Sequence, residues 1–238
     1  MLFSKIQDFV SETVNETDLE VLKNTFTRYV KPLGFHMHTC VSIVDLQNPP
    51  PRSLLMLEFP EQWADHYVSE NYIQNDPVFR MAITGKRAFK WQDIKVSSDI
   101  GQQIFDESAE FGIKNGITVP ISLPNEYPAT VNIIGEHDNI SDEDYSALHL
   151  MAVYYFNSAT YIQGQHHKEE FGNVELTARE KECLYWVAQG KSDQDIGDIL
   201  NLSHHTVHSY LEKAKSKFNV RTRTQAAVRA VYQGVIIP

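Results

Sequence analysis

Cysteine is almost missing from this chain: Cys40 and Cys183 are the only two in 238 residues. Two thiols in separate segments build neither a disulfide framework nor a zinc knuckle, which suits a reducing compartment. No uncharged run reaches the roughly 20 apolar residues that a bilayer-spanning helix needs. Lys5, Asp8 and Glu12 interrupt the apolar start, so no secretory signal is expected and the chain reads as cytoplasmic, without a membrane partner. A Gly-rich phosphate loop, a nucleophile elbow and zinc-ligand spacing are also absent. The pairs His36-x-His38, His166-His167 and His204-His205 have no third ligand nearby in sequence. No catalytic residue, metal or cofactor is therefore expected, and an enzyme is disfavoured. Repeats and low-complexity tracts are lacking too.

What is present is unevenly charged. The net charge is −10, but residues 171–238 hold nine Lys and Arg against seven Asp and Glu, or +2. The remainder holds 12 against 24, or −12. Such asymmetry permits a nucleic-acid partner for the last third despite the acidic total. The change falls near Gly164-Gln-His-His-Lys-Glu-Glu-Phe-Gly172, a polar, Gly-bounded stretch suited to a linker. Three regions follow: 1–163, a linker at 164–172, and 173–238.

The last region reads as four short helices. Thr177 with Glu180, Ser192 with Asp195, and Thr222 with Gln225 fit capping boxes, in which two side chains satisfy orphan N–H groups reciprocally. Gly190 closes the first helix, and Asn201-Leu202-Ser203 turns a short second helix (about 193–200) into a longer third (about 204–218). Val207, Leu211, Ala214 and Phe218 form its apolar stripe. His205, His208, Ser209 and Glu212 share another face, with donors and acceptors suited to base edges in a major groove. Lys213, Lys215, Lys217, Arg221 and Arg223 follow and suit phosphate contacts. A short capped helix followed by such a helix reads as a helix-turn-helix for double-stranded DNA.

The run Leu176-Thr-Ala-Arg-Glu180-Lys-Glu-Cys-Leu184, then Gly190-Lys191-Ser192, Ile196, Leu202-Ser203, Thr206-Val207 and Lys217-Phe218-Asn219 resembles the LuxR-type helix-turn-helix. The resemblance adds Thr206 to the DNA-facing candidates. His208 and Tyr210 depart from the residues common in that family after the Thr-Val pair, so the scaffold transfers and the operator sequence does not.

The first region reads as mixed α and β. Helices are expected at 3–14, 18–30, 60–69, from Pro77, at 99–111 and at 141–161, with Ser141 and Asp144 as a further capping box. Strands are expected at 35–44, 54–59, 117–123 and 130–135, the last two paired around Asn125-Glu126. The prolines of Gln47-Asn-Pro-Pro-Pro-Arg52 require a loop. The fold class is α+β: an α/β/α sandwich with an antiparallel sheet, then an all-α four-helix unit.

Aromatic and acidic residues gather between Phe59 and Trp91. Trp63 and Tyr67 lie at i and i+4, presenting an indole N–H and a phenol on one helix face. Asp76 precedes Pro77, where it suits an N-cap as readily as a ligand contact, and an aromatic stripe suits a core as readily as a pocket. The order Trp63-x-x-x-Tyr67, Asp76-Pro77, Trp91, Gly116 is similar to that of the LuxR-type autoinducer-binding domain, whose ligand is an N-acyl-homoserine lactone. The resemblance implies that Trp63 donates to the lactone carbonyl, Asp76 accepts the ligand amide N–H, Tyr67 bonds the acyl carbonyl, and Trp91 walls the ring. Phe59 stands where some members carry a tyrosine that reaches the ligand. Thr130 and Asn132 share a strand face, which fits either a contact to a 3-substituent or a solvated sheet surface.

Paired half-sites match paired recognition helices, so a homodimer is expected. The long helix from Ser141, with Tyr145, Leu148, Met151, Val153, Tyr155, Phe156 and Tyr161, offers apolar surface for core and subunit contact alike. A phosphorylation-driven regulator is disfavoured because the receiver's acidic set is missing. The alternative is a regulator of the same fold that answers to a different small molecule or to none.

Overall fold

Caps and prolines set most element boundaries. The computed structural model describes residues 2–46, 48–85, 87–123, 126–136, 140–171 and 174–238, with backbone alone for 2–3 and 165–171. The chain forms two compact units, residues 1–122 with 128–167, and residues 123–127 with 168–238.

In the first unit, α1 (Leu2–Thr13) precedes α2 (Leu19–Val30), whose N-cap Asp18 accepts from the Glu20 and Val21 N–H groups. Pro32 continues α2 as a 3-10 turn, and Gly34, at φ 86°, redirects the chain into β1 (Phe35–Ser42). Pro49, Pro50 and Pro51 fall in the connection to β2 (Leu55–Glu58), as a run without ladder donors must; Gln47 of that loop lies outside the described residues. Pro60 opens α3 (Glu61–Ser69), and Asp76 with Pro77 opens α4 (Pro77–Thr84). Then come β3 (Phe89–Lys90), α5 (Asp99–Glu110), β4 (Asn115–Ile121), β5 (Ala129–Gly135) and α6 (Asp142–Phe171).

The strands form one antiparallel sheet in the order β2-β1-β5-β4-β3. Alternation separates its faces. Cys40, Val131, Ile133, Ile117 and Val119 pack with α1, α2 and α6 in the larger core. Met37 and Ile134 face the other way, toward a second cluster built from α3, α4 and α5.

Two expectations need correction. Strand β3 went unforeseen, since two residues carry no period. Helix α6 runs past Tyr161 through most of the stretch read as a linker, because Gln, Lys and Glu favour helix and only Gly164 opposes it. Asn125, in the expected turn between β4 and β5, lies outside the described residues. On α6, Leu148, Met151, Tyr155 and Phe156 are buried, while Leu150, Tyr154 and Tyr161 are exposed.

The second unit holds α7 (Ala178–Ala188), α8 (Asp193–Leu200), α9 (His204–Lys217) and α10 (Arg223–Tyr232). The capping boxes at Thr177, Ser192 and Thr222 are all formed. Asn201 ends α8 in the left-handed region at φ 54°. Gly197 lets the turn fold back tightly, since a Cβ there would stand 2.7 Å from the Leu202 carbonyl oxygen. Val207, Leu211, Ala214 and Phe218 are buried, as their spacing implies.

Candidate functional site

Between the second sheet face and α3–α5 lies a cavity of about 190 Å³. Phe59, Trp63, Tyr67, Asp76, Trp91, Thr130 and Asn132 all line it, so residues distant in sequence converge there. Most of its wall is apolar, with Val41, Ile43, Phe79, Ile104 and Ile134 among the contributors.

Asp76 is both cap and pocket residue. Its Oδ1 accepts the Val78 N–H at 2.7 Å and its Oδ2 accepts the Tyr67 hydroxyl at 2.8 Å. Burial raises its pKa against the pull of those bonds, and Tyr67, buried beside the carboxylate, is pushed up as well. Trp63 is buried, and its indole N–H finds no acceptor among the described residues. Its ring lies 5.9 Å from that of Tyr67.

Trp91 is fixed differently. Its Nε1 donates to Thr118 Oγ1 at 2.8 Å, and its ring lies against the backbone of Gly116. A Cβ at Gly116 would stand 3.2 Å from Trp91 Cε2 and 2.7 Å from the Ile133 carbonyl oxygen, so the bare backbone admits the indole. Thr130 and Asn132 face this enclosed side rather than a solvated sheet surface. Asn132 is held at both ends: Oδ1 accepts from Thr118 and Nδ2 donates to Thr39, each at 2.7 Å.

Sequence reading missed Thr39 and Thr118, which register alone joins to Asn132. It also missed Glu107 on α5, which accepts from Tyr72 at 2.6 Å and Gln103 at 2.7 Å and meets His66 Nε2 at 2.7 Å. These bonds clamp α3 to α5 behind Trp63. Led by the Tyr72 bond, they push the Glu107 pKa down to about 2.

In the second unit, His205, His208, Ser209, Glu212 and Lys213 are exposed on α9, and Thr206 is half-buried with its hydroxyl 2.8 Å from Ser203 Oγ. His208 Nδ1 lies 3.3 Å from Asp193, and Arg223 donates to the same carboxylate at 2.6 Å. Asp193 thus steadies the face from α8, a role its sequence position did not reveal. Lys215 is drawn to Glu212 at 2.7 Å. Lys217 donates to Glu180 at 2.7 Å and to the Glu175 carbonyl oxygen at 2.9 Å, tying α9 to the start of α7. Burial opposes ionisation of Glu180, yet Lys217 and the Thr177 N–H hold its carboxyl below the usual range. Lys213 and Arg221 have no ion pair with any described residue. Among the described residues no group of three His, Cys, Asp or Glu side chains could hold a metal ion, and no helix is long and apolar enough to cross a membrane.

Comparison with known proteins adds to this geometry. Residues 18–159 match the family described as autoinducer binding domain, and residues 174–230 match bacterial regulatory proteins, luxR family. The transcriptional activator protein BjaR1 of Bradyrhizobium diazoefficiens is 29% identical over 204 residues, covering 83% of each chain. The quorum sensing-dependent transcriptional regulator RpaR of Rhodopseudomonas palustris is 27% identical over 228 residues, covering 94% of this chain and 92% of RpaR. Escherichia coli SdiA shares the fold at TM-score 0.75 and 20% identity, with full coverage of both chains. A second SdiA structure, in complex with octanoyl-rac-glycerol, gives 0.73 at 20% identity, covering 98% of this chain and 96% of that one.

Proposed function

Because the chain belongs to the LuxR-type quorum-sensing transcriptional regulators, a family of regulators rather than enzymes, we propose that it binds an N-acyl-homoserine lactone in the sheet-floored cavity and acts as a cytoplasmic homodimer on a two-fold operator. The observation that carries this reading is the pairing of a free donor, the Trp63 indole N–H, with a carboxylate acceptor, Asp76, in one largely apolar enclosure. A neutral ligand with one amide and two carbonyls needs both, since each unmet buried polar group costs about 1–3 kcal/mol. Each Asp76 oxygen keeps a lone pair for the ligand amide. Tyr67 has one proton, and while Asp76 holds it the phenol orients the carboxylate and does not donate to the acyl carbonyl. No further cofactor enters the proposal.

Ligand would stabilise the folded domain by RT ln(1 + [L]/Kd), about 4 kcal/mol at a thousandfold excess over Kd. The exposed residues Leu150, Tyr154 and Tyr161 recur on one side of α6 and suit a subunit contact. A second reading, a regulator tuned to another acyl compound, is favoured by Phe59, which supplies a ring without a hydroxyl. Melting curves of the purified chain against acyl-homoserine lactones and acylglycerols should rise with the lactones. A rise confined to acylglycerols would select the second reading.

The DNA face separates contact from scaffold. Arg221→Ala should lower the salt slope of DNA binding by about one per bound subunit and leave the melting temperature unchanged. Lys217→Ala should lower the melting temperature of the C-terminal unit and leave the slope unchanged, because Lys217 is tied to Glu180. Gel shifts across a salt series, paired with thermal melts, check both; the reverse pattern would exchange the two roles.

A further inference from the structure

Resting on the DNA-binding reading of the second unit, we infer that His208 reads guanine as an imidazolium: Asp193 turns the ring so that Nε2–H is the edge presented to the major groove.

A cleft of about 360 Å³ opens between the start of α8, the side of α9 and the start of α10. Asp193, His204, His208, Glu212, Lys215 and Arg223 line it. Asp193 is its fixed point: the side chain is 14% exposed, and Arg223 donates to Oδ1 at 2.6 Å. The other oxygen, Oδ2, meets His208 Nδ1 at 3.3 Å. An ionised carboxylate only accepts, so Nδ1 carries the proton and the tautomer is set. His208 itself is 59% exposed. Glu212 Oε1 stands 3.8 Å from Nε2, too far for a hydrogen bond, which leaves that nitrogen to a partner outside the unit.

Charge decides which form of the ring that partner meets. Asp193 and Glu212 approach one ring nitrogen each and favour the cation. Arg223 and Lys215 oppose it, but they are turned to those same carboxylates, Lys215 to both oxygens of Glu212. His204, its ring 6.5 Å away, adds no charge while neutral. Within the unit these groups nearly balance, and a duplex tips them. Its phosphates, one per about 1.7 Å of helix axis, favour the imidazolium over the neutral ring. DNA binding is thereby coupled to proton uptake at Nε2.

In the major groove a charged N–H seeks acceptors. Guanine presents two, N7 and O6, whereas adenine sets a donor beside its N7 and cytosine presents a donor. The neutral ring would do the opposite and accept from cytosine or adenine. Asp193 acts as a positioning residue, since it touches the ring and not the base.

Selection from a random duplex library with the full-length protein, at pH 6.5 and pH 8, with and without octanoyl-homoserine lactone, tests this. The recovered half-site should carry a guanine whose enrichment is strong at pH 6.5 and weak at pH 8. Anisotropy titrations on the selected duplex should show affinity falling roughly tenfold per bound subunit between those pH values, as uptake of about one proton implies. His208→Gln should lose both the guanine preference and the pH dependence, while His204→Gln keeps them. Asp193→Asn, which frees the ring, should lower the affinity ratio of guanine over the other bases at that position. The ratio is read within each variant, so a general loss of stability, which weakens every duplex alike, does not mimic the result. A His208→Gln protein that keeps the pH dependence, or a preference for cytosine or adenine that strengthens toward pH 8, overturns the inference and leaves DNA binding standing. If no duplex is enriched under any condition, the DNA-binding reading falls and this inference with it.

Discussion

Asp76→Asn is expected to weaken lactone binding by roughly 10- to 100-fold, the range for losing a charge-assisted buried hydrogen bond. The unliganded domain should lose little stability. Asparagine is as good an N-cap as aspartate, so the Val78 N–H stays satisfied. With the amide oxygen on the Val78 N–H, the new NH₂ faces Tyr67 and donates to its phenol oxygen, so that contact is kept with its direction reversed. The carboxylate, moreover, is itself disfavoured: burial raises its pKa above the ordinary 3.8. For a group with a raised folded pKa, its contribution to stability is fullest below the unfolded pKa and is lost as pH rises. At neutral pH the buried charge is a cost that Asp76→Asn removes. The stability of the variant relative to wild type should therefore improve from acid toward neutral pH. Melts at both pH values, with and without ligand, check this: an intact ligand shift in the variant would remove Asp76 from the site. A site that holds a costly charge for its ligand is an ordinary trade of stability for binding.

How much could be read beforehand depends on sequence distance. The C-terminal unit was legible because capping boxes and turn residues act within four positions, and its helices begin and end where those residues stand. Trp63, Tyr67 and Asp76 were legible for the same reason, although resemblance rather than spacing made them a pocket. The partners that orient them were not. Thr39 meets Asn132 across 93 positions, Glu107 meets His66 across 41, and Lys217 meets Glu180 across 37. Strand register and helix packing create those pairs, and no local pattern announces them. The cations between Lys213 and Arg223 show the limit most sharply. Five in one basic stretch looked equivalent, yet Lys215, Lys217 and Arg223 are engaged with Glu212, Glu180 and Asp193.

His38 should make the ligand-binding unit acid-sensitive. It lies fully buried between Phe26 and Tyr155, with ring centroids 4.9 Å and 5.4 Å away, on the sheet face opposite the cavity. Thr27 spends its hydroxyl proton on the Lys23 carbonyl oxygen, so His38 Nε2 must donate to Thr27 Oγ1 at 2.9 Å. That fixes the tautomer and leaves Nδ1 as a bare acceptor without a partner among the described residues. Protonating Nδ1 would place a charge in this apolar site, and burial accordingly lowers the pKa from 6.5 to about 4, with Glu58 opposing. The unfolded chain therefore takes up a proton first as pH falls, and folding stability drops between pH 6.5 and about 4. The full effect is roughly 3 kcal/mol, a large share of a domain's stability. His38→Leu keeps the Thr27–Lys23 bond and removes the titrating group, so its stability should depend on pH by about one proton less across that window. Denaturant titrations at pH 7, 6 and 5, followed through Trp63 and Trp91, decide the matter. Parallel curves for the two proteins would mean that a charged His38 is tolerated in the core.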